Sequence, residues 1–224
     1  RDAQGRRLFD VERYQPPLST LRRWQAKQIV VKLSPGVDLA QLDDYAGRVE
    51  FIAVDDDLKE AVLWHRPTEA RSIRATLLTA GQSLHWQRDG EPESVPLSAP
   101  RGWLIEPNPA LIRAGLVQEF ASTVGGALLD ETIAYVTADQ APVTPWARSW
   151  RVLEWQPFNL KRLRAALRAQ DVGTVTVKKR GSPLTPETLI SRLKLKGSQS
   201  RTLVLTRHAG QPIVVICADY DPIR

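Results

Sequence analysis

The chain has 224 residues, 42% of them hydrophobic and 25% charged, with a formal net charge of +6. That length suits one large domain or two small ones with a packed core, and the absence of an 18-residue apolar run excludes a helical membrane span. The single cysteine, Cys217, excludes an internal disulfide, and the opening RDAQGRRLFD lacks the apolar core of a signal peptide, so a cytoplasmic setting is expected.

In chain order, YQPPLS at 14–19 leads into a short amphipathic stretch around Leu18, Leu21 and Trp24. Gln28–Leu33 is an apolar run stopped by Ser34-Pro35-Gly36 and reads as a buried strand, followed by a short helix over Asp38–Tyr45. Glu50–Val54 and Glu60–Trp64 read as strands around an acidic turn, Asp55-Asp56-Asp57. Arg74–Leu78 and Ser83–Gln87 read as an antiparallel pair, with Asp89-Gly90 as a turn beyond it. Residues 88–101 are rich in Pro, Ser and charge and form the expected domain boundary. Asn108-Pro109 then supplies an N-cap and a first-turn proline for one helix. That helix carries Ile112, Leu116 and Phe120 on one face and ends near Gly125-Gly126.

The last third alternates strand and helix. Trp150–Trp155 is a strand, Asn159 caps a helix through Gln170, and Thr174–Lys179 is a β-branched strand. Thr185-Pro186-Glu187 opens a second helix that Gly197 ends, and Thr202–Thr206 with Ile213–Ala218 form a hairpin over Ala209-Gly210-Gln211. The order is β-α-β-α-β-β, an α+β unit of the size that small RNA-binding modules use.

Charge concentrates there. Residues 151–210 hold 13 Lys and Arg against 3 Asp and Glu, a local +10 that leaves −4 for the remainder. On the first helix Leu160, Leu163, Ala166 and Leu167 share one arc, while Lys161, Arg164 and Arg168 share another beside Arg162. Lys178, Lys179 and Arg180 continue the charge at a strand end, Lys194 and Lys196 fall in the second helix's last turn, and Arg207 follows on the hairpin. Cations so poor in acidic counterparts point to a polyanion, and nucleic acid is the expected partner. Of the nearby Trp146, Trp150 and Trp155, packing claims at least two and base stacking is open to the rest.

Other chemistry is not written in motifs. No Gly-rich dinucleotide loop or P-loop occurs, and His65, His85 and His208 lack metal-ligand spacing, so no metal is expected. Cys217 lies in the apolar run IVVICA and reads as a buried thiol. No methionine occurs, even at position 1, so the chain is expected to be a fragment.

Read whole, the chain resembles the C-terminal portion of a bacterial family of class I S-adenosylmethionine-dependent methyltransferases with a THUMP-like domain. YQPPLS, KLSPGVD at 32–38, EFIAVDDDLKEAVLW at 50–64, IRAGL at 112–116, IAYVTAD at 133–139 and the 158–197 segment carry the resemblance. It implies that residues 1–98 are the last strands of a Rossmann-like methyltransferase sheet and that residues 99–224 are the THUMP-like domain. It implies S-adenosylmethionine as cofactor of the parent protein, its Gly-rich loop and Asp-Pro turn both preceding Arg1. Pro16, Pro17 and Leu18 would wall the active site. This chain alone is then expected to be inactive, with the first half of the catalytic fold missing and RNA the substrate gripped by the C-terminal domain. A non-catalytic RNA-binding module, or methylation of an acidic protein, are the competing readings.

Overall fold

The computed structural model describes residues 8–88 and 94–220. Their contacts divide into two units. The first takes residues up to 88 together with 108–116, and the second takes 94–107 with 117–220.

The first unit is a mixed five-stranded sheet. Its strands are β1 (Ile29–Leu33), β2 (Gly47–Val54), β3 (Asp57–His65), β4 (Ser72–Thr79) and β5 (Gln82–Gln87). Their order is β1-β3-β2-β4-β5. β3 runs antiparallel between β1 and β2, β2 and β4 are parallel, and β5 returns antiparallel on β4. The 74–87 hairpin is present as read, with Asp55 and Asp56 turning β2 into β3. The Asp89-Gly90 turn lies outside the described residues. The stretch at 38–45 forms only a 3-10 turn over Leu39–Leu42, capped by Asp38. Another 3-10 turn, Leu18–Arg23, buries Leu18 and Leu21 and leaves Trp24 out.

Alternation sorts β2 cleanly. Val49, Phe51 and Ala53 are fully buried on one face. Glu50, on the other, is also buried, because Trp64 Nε1 donates to it at 2.7 Å and the Thr76 hydroxyl donates to its second oxygen. Helix α1 (Pro109–Arg113) belongs to this unit. Asn108 caps it, accepting from Ala110 N, and Arg113 donates to the carbonyls of Pro35 and Val37.

The helix expected over 109–124 is two helices. Gly115 takes a left-handed φ of +68, which ends α1, and α2 (Val117–Thr123) restarts in the second unit. An isolated glycine in a periodic stretch is tolerated in helices, which is why periodicity alone ran through it.

The second unit is a seven-stranded sheet, β10-β11-β12-β9-β6-β8-β7. The strands are β6 (Trp103–Pro107), β7 (Ala127–Asp130), β8 (Ile133–Ala138), β9 (Ala147–Pro157), β10 (Val172–Lys179), β11 (Gln199–His208) and β12 (Gln211–Cys217). With α3 (Leu160–Ala169) and α4 (Pro186–Leu193), residues from 147 onward run β-α-β-α-β-β as read. Asn159 caps α3 by accepting from Arg162 N, and Thr185 caps α4 by accepting from Thr188 N.

One face of this sheet is covered by α3 and α4, where Leu163, Leu167, Leu189 and Leu193 pack on Leu203, Leu205, Val214 and Ile216. The other face curls on itself. Leu104, Leu129, Tyr135, Trp150, Val204, Val215 and Cys217 meet inside the curl. The β11–β12 turn closes it, with Ala209 N donating to Leu129 O and Gly210 N to Asp130 Oδ2. Trp146 and Trp150 are buried, as expected for at least two of the three tryptophans, and Trp155 stays exposed. Burial pushes the Cys217 thiol up to about 12, so it is an inert core group.

Candidate nucleic-acid interface

The basic residues separate into two groups, and strand geometry causes the split. Successive side chains on a strand point to opposite faces. Lys178 and Arg180 therefore enter the curl, while Lys179 lies on the helix-covered side and is exposed.

The outer group gathers where α3 and α4 end. Arg168, Lys194 and Lys196 line one open depression of about 450 Å³, with Asp171, Val172 and Gly197 as the rest of its wall. α4 stops at Leu193, four residues before Gly197. Lys194 adopts a left-handed φ of 48 as its cap, and Leu195 turns back onto the core. Lys194 and Lys196 are thus past the helix rather than in its last turn. The two arginines of α3 reach across to this end. Arg164 donates to Arg192 O, and Arg168 donates to Lys194 O at 3.1 Å. These guanidinium groups satisfy carbonyls that a helix end leaves without partners. Lys161 and Arg162 stand exposed at the start of α3.

The floor of the depression is backbone on backbone. A Cβ on Gly173 would lie 1.8 Å from Gly197 O, and one on Gly197 would lie 2.0 Å from Asp171 O. Glycine at both positions lets the β10 and β11 entries close, with Gln199 N donating to Asp171 O at 2.9 Å. The Ser198 hydroxyl and N–H both donate to Asp171, which holds that carboxyl below its ordinary value. No described carboxylate forms an ion pair with Lys161, Arg162, Arg164, Arg168, Lys179, Lys194 or Lys196.

The inner group is different. Glu106 on β6 and Lys178 on β10 stand four places apart in the sheet, roughly 19 Å if it were flat. Their side chains nevertheless meet at 2.8 Å, because the sheet curls. Arg148 reaches the same carboxyl oxygen at 3.1 Å, and Arg180 reaches the other at 3.3 Å. Lys178 sits 4.6 Å over the Trp150 ring, and Arg180 lies 5.3 Å over that of Tyr135. Burial alone would push the Glu106 carboxyl up. The hydrogen bond and charge of Lys178, with the charges of Arg148 and Arg180, outweigh it and hold the group below its ordinary value.

Arg207 belongs to neither group; its Nε donates to Gly181 O at 3.0 Å. Pro16 and Pro17 are exposed, and Leu18 is buried in the core. Among the described residues, no three of His, Cys, Asp and Glu cluster as a metal site would require, and no helix is long and apolar enough to cross a membrane. Sequence reading missed Glu106 and Arg148. The available signal was alternation, since each lies two residues from an inward apolar neighbour, Leu104 and Trp150.

Fold and comparisons agree on the class. Residues 147–219 match the family model described as THUMP domain-like. Two curated relatives are 34% identical over 212 residues, covering 92% of this chain. Both are uncharacterized S-adenosylmethionine-dependent methyltransferases of Mycobacterium tuberculosis, strains CDC 1551 / Oshkosh and ATCC 25618 / H37Rv. The chain spans 58% of their length. A crystal structure from Porphyromonas gingivalis W83, provisionally assigned as a methyltransferase, superposes with a TM-score of 0.71 at 22% identity. It covers 87% of this chain and 52% of its own, and shows a shared fold. The sequence resemblance is borne out: the chain is similar to S-adenosylmethionine-dependent methyltransferases, shares a mixed α/β fold with the solved structure, and matches a THUMP-like domain over residues 147–219.

Proposed function

We propose that this chain is the substrate-gripping part of an S-adenosylmethionine-dependent methyltransferase that acts on RNA. The names of the curated relatives support the reaction class. The observation that carries the substrate is the outer depression, where Arg168, Lys194 and Lys196 converge with no acidic ion-pair partner among the described residues. Here three cations outnumber one carboxylate, Asp171, which Ser198 engages, and an excess of cations that neutralises phosphates releases the counterions condensed on a nucleic-acid backbone. Such contacts position a chain of nucleotides without reading its sequence.

The described residues do not fit a whole cofactor site. In the five-stranded sheet the parallel pair β2/β4 is bridged by the strand β3, so that sheet has no β-α-β crossover to aim a helix N-terminus at a nucleoside. β1 is an edge strand of apolar sequence with Val30 exposed, which suits pairing with further strands of the parent protein. The cofactor is accordingly assigned to that parent, with Pro16 and Pro17 as the parts of this chain nearest in role to an active-site wall. The chemistry it supplies is methyl transfer from a sulfonium; this chain's residues hold and orient the acceptor.

The test is fluorescence anisotropy of a labelled RNA hairpin against a polyglutamate peptide of equal charge. The account expects RNA to bind far more tightly. Equal binding of the peptide would support an acidic protein as substrate instead.

A further inference from the structure

One wall of the outer depression carries the wrong charge for a site that takes phosphate alone. Asp171 lines it together with Arg168, Lys194 and Lys196, and all four residues are exposed. A carboxylate among three cations is placed to pair with one of them. Among the described residues, Asp171 nevertheless forms no ion pair.

Its backbone and its neighbours hold it apart. α3 ends at Ala169, and Asp171 takes a left-handed φ of 53 before β10 begins, a conformation that aspartate adopts more readily than most residues. Its carbonyl accepts from Gln199 N at 2.9 Å, and Ser198 donates to Oδ2 from its N–H at 3.2 Å and from its hydroxyl at 2.5 Å. These bonds fix the carboxylate against the entry to β11 and leave Oδ1 without a hydrogen bond. The same two donors keep the carboxyl below its ordinary value, so Oδ1 is an ionised acceptor at neutral pH. Gly197, also in the lining, carries no side chain to occupy the depression.

Three cations and one fixed acceptor therefore face the same open space. A phosphodiester has no proton to give Oδ1 and is repelled by it, and deoxyribose adds no donor. A ribose phosphate has both parts: an anion for Arg168, Lys194 and Lys196, and a 2′-hydroxyl that donates. Carboxylates take ribose hydroxyls in the same way in nucleotide-binding folds.

We propose that Asp171 reads the ribose 2′-hydroxyl of an RNA whose phosphates Arg168, Lys194 and Lys196 hold, so that the outer depression selects RNA over DNA. This deepens the reading of that depression as an RNA grip and rests on it.

The test is fluorescence anisotropy with two labelled hairpins of one sequence, RNA and RNA with 2′-fluoro sugars, which keep the A-form shape and cannot donate. The wild type should bind RNA about five- to tenfold more tightly than the 2′-fluoro hairpin, one hydrogen bond to a charged acceptor at an open site. Asp171→Asn keeps an oxygen for the two Ser198 donors and turns its NH2 outward, so the preference should fall to about one. The 2′-fluoro hairpin should bind this variant more tightly than it binds the wild type, because a negative charge facing the phosphates has gone. A merely structural Asp171 would weaken both hairpins together and leave their ratio unchanged. The proposal fails if the wild type binds both hairpins equally, a comparison that decides even where the variant does not fold, or if Asp171→Asn keeps the wild-type ratio. Failure of the underlying RNA reading looks different and sinks both: neither hairpin binds, or Arg168→Ala/Lys194→Ala/Lys196→Ala binds them as tightly as the wild type.

Discussion

Replacing Glu106 with Gln tests how the curled sheet is held. The change keeps volume and removes the one charge on which Lys178, Arg148 and Arg180 converge at 2.8, 3.1 and 3.3 Å. Whichever way the amide turns, its NH2 faces at least one cation, because both carboxyl oxygens are occupied. Breaking a fully buried pair costs about 3–5 kcal/mol, and leaving cations roughly a third exposed lowers that to about 2–3 kcal/mol. For a chain of this size the melting temperature should fall by about 5–10 °C. Circular dichroism melts at pH 7 in phosphate-free buffer measure it. The sign with pH also follows. The folded-state carboxyl is held below its ordinary value near 4.5, so its contribution is complete above that value and is lost as pH falls through the folded one. The wild type should therefore lose its advantage over Glu106→Gln in acid. Equal melting temperatures at pH 7, or a gap that widens in acid, would refute the reasoning.

Three further outcomes follow from the same geometry. Gly197→Ala forces a Cβ to within 2.2 Å of the Asp171 carbonyl carbon, and urea unfolding should show a loss of about 3 kcal/mol or failure to fold. Asp130→Ala removes the acceptor of Thr132 N, its hydroxyl and Gly210 N, so hydrogen exchange at the β11–β12 turn should speed up while α3 and α4 are unaffected. The Cys217 thiol, pushed up to about 12 by burial, should resist iodoacetamide at pH 8 in the native protein and react fully in denaturant.

Local chemistry made much of the fold legible. Asn159, Thr185 and Pro186 announce their helices, and β-branched runs announce β10 and β12, so the β-α-β-α-β-β order could be read directly. Gly115 was less legible, since its left-handed φ is invisible to periodicity. The site was legible as charge and illegible as geometry. Lys178, Lys179 and Arg180 read as one run, yet a period of two already sends the middle residue to the opposite face. Glu106 could not be found as their partner, because it lies 72 and 74 positions away and meets them only through a curl that spans five strands, β10-β11-β12-β9-β6. Lys194 and Lys196 were read one turn too early, since the helix end depends on Leu195 finding the core.

The most direct test of the RNA reading is the salt dependence of RNA binding. For Arg168→Ala/Lys194→Ala/Lys196→Ala the slope of log affinity against log salt should shrink by about 2–3 relative to the wild type, one phosphate contact per cation removed. A slope that stays at the wild-type value would contradict the outer depression as the place where the nucleic-acid backbone is held.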